Sequence, residues 1–126
     1  MDIKNYADIL GRSANIFIGN RKEFYWDKGL PFSSNLQNLY EILQCFNEFR
    51  VEFDNTDVDK KILTEHKKHQ DTFNSYANFL NAKIDAIERL KETDYNHFNQ
   101  EVSQKLISFE EIVNTIGNRI VIKLKN

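Results

Sequence analysis

Two pairs of side chains in this chain have the types and spacing of metal ligands. Glu65 and His69, in TEHKKHQD, stand four residues apart, and so do His97 and Glu101, in HFNQE. On a helix that spacing stacks both members on one face, so each pair could offer two ligands to one ion, as carboxylate and histidine centres in helical bundles do. A complete centre needs the pairs to meet. If the chain folds back at Thr93 and Asp94, His97 lies beside the turn while His69 lies roughly 35 Å along the neighbouring helix. One ion does not bridge that gap, and the remaining histidine, His66, sits beside His69. The pairs therefore read as helix residues, with His66 and His69 hydrogen-bonded at a seam and His97 on the surface of a first turn; no metal and no other cofactor is expected.

Arg89 and His97 raise a second chemistry. Small helical ribonuclease domains of the HEPN type carry an Arg followed after four to six residues by a His, which act together on the RNA backbone. Here seven residues separate the two, and Leu90 stands where a polar residue usually follows the Arg, so no residue is carried over. A divergent helical ribonuclease remains an alternative. The one cysteine, Cys45, lies among Ile42, Phe46 and Phe49 and reads as a buried, inert thiol. Serine nucleophile motifs, glycine-rich phosphate loops and acids paired in apolar surroundings are absent from the sequence, which points to a protein that is not an enzyme.

The elements that must position these residues are helices. The chain has 126 residues, with 40% hydrophobic and 13% aromatic residues but only 4 Gly and 1 Pro, a composition for one helical domain over 1–126 with little turn chemistry. Apolar residues from Ile3 to Phe17 recur at helical spacing up to Gly19 and Asn20. A competing reading makes 14–26 a hairpin turning at Gly19 and Asn20. Ser34 with Gln37 has the pattern of a capping box opening a second helix to about Phe53, and Thr56 or Asp57 is placed to cap a third. The third helix has the clearest seam, nearly a coiled-coil repeat, in Ile62, His66, His69, Phe73, Tyr76, Leu80, Ile84, Ile87 and Leu90. A fourth carries Tyr95, Phe98, Val102, Leu106, Phe109, Ile112, Val113, Ile116 and Ile120; Gly117 and Asn118 offer a stop within it, an alternative that leaves 119–124 as a short β element. The fold class is all-α, a four-helix bundle-like domain with a long C-terminal helical hairpin.

Candidate contact residues come from two places. Phe24, Tyr25 and Trp26 sit consecutively in a loop: Phe24 and Trp26 are expected to close one end of the bundle with Tyr25 at the surface, or the three together to meet a partner. The second helix is apolar around more than half its circumference, which makes it either the central helix or one whose outer edge, at Ile42, Cys45 and Phe49, is an interface. Covering that edge with a second copy would give a homodimer. The net charge of -2 supplies no global field for nucleic acid, and Lys60, Lys61, Lys67 and Lys68 are interleaved with acids. The stretch PFSSNLQNLYEIL is similar to the small helical subunits that line type III CRISPR effector complexes, and that likeness implies a helical subunit of a nucleic-acid-associated complex as the alternative. No apolar run reaches membrane-spanning length and the opening residues are not a signal peptide, so the expected place is the cytoplasm. The expected function is non-catalytic and regulatory, by binding another protein: an adaptor, an inhibitor or immunity-type factor, or a subunit of a larger assembly.

Overall fold

The computed structural model describes residues 6, 8, 11, 12, 25–90 and 94–125, and every regular element among them is helical. Helix α1 spans Phe32–Asp54, a 3-10 turn spans Lys60–Ile62, α2 spans Leu63–Leu90 and α3 spans Tyr95–Lys125. The all-α class follows from the periodicity. Of the helix expected over 3–18, Tyr6, Asp8, Gly11 and Arg12 are helical; its remaining residues, the hairpin reading before Tyr25, and Phe24 lie outside the described residues.

The start of α1 differs from the capping-box expectation. Pro31 takes the N-cap position with φ -59° and ψ 152°, and no side chain caps the helix. Proline there costs no hydrogen bond, because the first helical N–H groups have no partner within the helix. Ser34 is already inside the first turn, its N–H donating to the Pro31 carbonyl at 3.1 Å, and Gln37 reaches forward to Glu41. The ordering residue is Asn35, which is buried. Its Oδ1 accepts from the Asp27 N–H at 2.9 Å and its Nδ2 donates to the Asp27 carbonyl at 2.8 Å, folding residues 27–31 against the helix. At the other end Thr56 does not open the next helix. Its hydroxyl donates to the Glu52 carbonyl of α1, while the Asp59 carboxylate accepts the Lys61 N–H and caps the 3-10 turn.

Helix α2 is the one that packs against both others; α1 and α3 make no close backbone approach to each other. The broad apolar stripe of α1 has a different cause from centrality: it carries the aromatic half of the core. Phe46 meets Tyr76 at 4.9 Å, Phe49 meets Phe73 at 5.6 Å and Phe53 meets Phe73 at 5.1 Å, all near edge-to-face, the geometry that ring quadrupoles favour. Helices of 23, 28 and 31 residues are roughly 35, 42 and 47 Å long.

Helices α2 and α3 form the expected antiparallel hairpin. Its register is read from three cross-helix contacts: Lys83 with Glu101 at 2.5 Å, Tyr76 with Phe109 at 5.3 Å, and Glu65 with Lys123 at 2.6 Å. The seam residues Ile62, His66, His69, Phe73, Tyr76, Leu80, Ile84 and Ile87 are buried as their spacing predicts, whereas Tyr95 and Ile112 on α3 remain at the surface. The alternative of a β element at 119–124 is not realised; these residues are helix. Gly117 and Asn118 do not end α3, because Ile116 and Ile120, one turn apart, bury together against Tyr6 and Ile62, and helical spacing is what brings both to that contact.

Candidate functional site

The ionisable groups with unusual surroundings gather at one end of the bundle. His69 is 0% exposed, stacked on Phe73 at 5.9 Å and edge-on to Phe53, and neither ring nitrogen has a hydrogen-bond partner among the described residues. Burial, with His66 nearby, pushes its pKa down to about 4, so the ring is neutral at pH 7. His66, one turn earlier, stacks on Phe53 at 4.4 Å and is hydrogen-bonded through Nδ1 to the Tyr6 hydroxyl at 2.5 Å. Its pKa is also lowered by burial, against a weaker upward pull from the Asp54 carboxylate. The Tyr6 hydroxyl is raised by burial and by the Glu65 charge. Glu65 is buried and ionised, its carboxyl held below the usual range by Lys123.

This arrangement ties elements together, Tyr6 to α2 through His66 and α2 to α3 through Glu65 and Lys123. Glu65 is turned to Lys123 and His69 into the aromatic core, so the first pair does not converge on one point. His97 lies at the far end, exposed, 3.3 Å from Glu101, whose same oxygen takes Lys83. No group of three His, Cys, Asp or Glu side chains suited to an ion converges among the described residues. The seam placement of His66 and His69 was legible from spacing. The contacts of Tyr6, Glu65 and Lys123 were not, because sequence separation hides them.

Trp26 closes the opposite end. It is 1% exposed, with Phe32 at 5.2 Å, Tyr95 at 6.0 Å and Phe98 at 6.0 Å, and its N–H and carbonyl are both held by the Asn99 amide. Its indole N–H has no acceptor among the described residues. Tyr25 is 56% exposed, so the two neighbours part as the end-closing reading requires. Of the α1 candidates, Phe49 belongs to the core and Ile42 is half-buried against it. Cys45 is exposed, contrary to the buried thiol expected: it lies about 100° around the helix from Phe46, beyond the arc that meets α2.

Open grooves lie on the surface formed by the described residues, among them one on α1 and one between α2 and α3. One, about 440 Å³, is lined on α1 by Tyr40, Leu43, Gln44, Asn47, Glu48 and Val51. The other, about 520 Å³, runs between α2 and α3 and includes Lys68, Asp71, Glu111, Ile112 and Arg119. No helix among the described residues is long and apolar enough to cross a membrane. No protein-family model matches the chain, and no curated protein or solved structure shows significant similarity to it.

Proposed function

We propose that the protein is a non-catalytic helical binding protein, an adaptor, an inhibitor or immunity-type factor or a subunit of a larger assembly, that engages another protein through the groove on α1. The supporting observation is an anchored aromatic at the groove's edge. Tyr40 is exposed, yet its hydroxyl is fixed by donating to the Glu88 carboxylate of α2, a bond that pushes its pKa up to about 12. A tyrosine held in one orientation loses little further entropy on binding, which is why such residues dominate interface energetics. Leu43 forms the floor, and Val51, 61% exposed, stands at the other end of the same strip.

Several basic residues are already neutralised: Arg12 by Glu52, Lys83 by Glu101 and Lys123 by Glu65. That weighs against a phosphate-binding track and favours the protein partner over the nucleic-acid alternative. Affinity capture from the native host followed by mass spectrometry tests the reading. A protein retained by the parent and by Tyr25→Ala, but lost with Tyr40→Ala combined with Val51→Asp, is the expected result. An identical set of proteins on both variants removes the α1 face from consideration, and salt-sensitive capture of RNA in place of protein replaces the reading with the alternative.

A further inference from the structure

The groove between α2 and α3 lies apart from the α1 face and has a charge pattern of its own. Its cations are Lys68 and Arg119, its anions Asp71 and Glu111, and its apolar surface comes from Ile112, 42% exposed, with buried Ile116 beneath. The hairpin register puts Lys68 opposite Arg119, so both cations stand at one end of the groove, with Asp71 one turn along α2 from Lys68. Glu111 lies eight residues back along α3, roughly 12 Å away. Among the described residues Asp71, Glu111 and Arg119 make no ion pair, so these charges face the groove uncompensated. The hydroxyls of Thr72 and Thr115, both lining residues, donate to carbonyls of their own helices. They need no polar partner from outside.

A groove positive at one end and negative further along is complementary to itself turned end for end, as a twofold interface demands. We infer that a second copy of this chain occupies it, α3 lying antiparallel to the second copy's α3 about an axis through Thr115. Thr115 is midway between Glu111 and Arg119, so a dyad there brings each Glu111 to the Arg119 of the other copy, with Lys68 beside it. Ile112 of both copies is covered at the centre. The attraction is electrostatic at the rim and apolar within, so it sets register and weakens with salt.

Sedimentation equilibrium on the full chain tests this through a charge-reversal cycle, with circular dichroism confirming that each variant is helical. The parent is expected to dimerise below about 100 µM at low salt, and Glu111→Arg and Arg119→Glu each to raise the dissociation constant about tenfold or more, since each reversal sets like charges together twice. The double variant, with both charges exchanged, should recover to within about threefold of the parent. A parent that stays monomeric at that concentration, single reversals without effect, or a double variant weaker than either single would overturn the inference. Labelling of Cys45 separates this dimer from one through α1: the thiol should react equally in monomer and dimer, and protection on dimerisation would sink the groove assignment while leaving the α1 reading standing.

Discussion

The two ends of the bundle are closed by the same device, an aromatic residue from outside the long helices, yet they are held by different chemistry. Trp26 is ringed by Phe32, Tyr95 and Phe98, and the backbone around it is clasped by the neutral amides of Asn99 and Asn35. Tyr6, at the other end, rests on Phe53 and His66, with His69, Glu65 and Lys123 nearby. Amides keep their donors and acceptors at every ordinary pH, whereas imidazoles, a carboxylate and a phenol do not. The contacts that hold Trp26 should therefore be indifferent to pH and those that hold Tyr6 conditional on it, although both rings are buried.

The largest test removes the first plug. Trp26→Ala should cost about 4 kcal/mol in urea unfolding, because the ring leaves a cavity among three aromatics that are themselves anchored on helices. The cost should be the same at pH 7 and pH 5. A loss of less than about 1 kcal/mol would mean the ring is not the closing element, and a strongly pH-dependent cost would erase the distinction between the ends.

Acid should act at the second end. His69 and His66 both have pKa values lowered by folding, so the unfolded chain binds more protons and stability must fall as pH falls below the ordinary histidine value. For His69 the window runs from about 6.5 down to about 4, and the stability at stake is on the order of 3 kcal/mol. Glu65, also lowered, adds a loss in the same direction at more acid pH as its pairing with Lys123 fails. Tyr6 works with the opposite sign: its raised pKa means a contribution that is intact below pH 10 and is lost above it. His69→Phe keeps a ring against Phe73 and removes the titration, so unfolding measured from pH 7 to 4 should show a flatter slope than the parent. An unchanged slope would place the acid sensitivity elsewhere.

The smallest effect tests whether α3 is helical up to the histidine end. Gly117 lies inside the helix, and a Cβ there would meet nothing within 4 Å. Gly117→Ala should then raise stability by about 0.5 to 1 kcal/mol in thermal or urea unfolding, since alanine loses less backbone entropy and no space must be made. A destabilised variant would mean that the chain breaks at this position and that Ile120 reaches Tyr6 by another route.

The sequence by itself determined the helical class and the inward face of α2, because spacings of three and four over 28 residues permit only one buried stripe. It did not determine how far α3 runs, since Gly117, Asn118 and three β-branched residues carry a local preference that the burial of Ile116 and Ile120 on Tyr6 overrides. Nor did it reveal Asn35 as the organiser of the first turn, or the exposure of Cys45, which rests on where α2 happens to touch α1. Tyr6 with His66, Glu65 with Lys123 and Trp26 with Asn99 join residues 60, 58 and 73 positions apart. Local propensity extends over a helical turn or two, so contacts of that separation, and the chemical difference between the two ends that they create, are decided only when the helices pack.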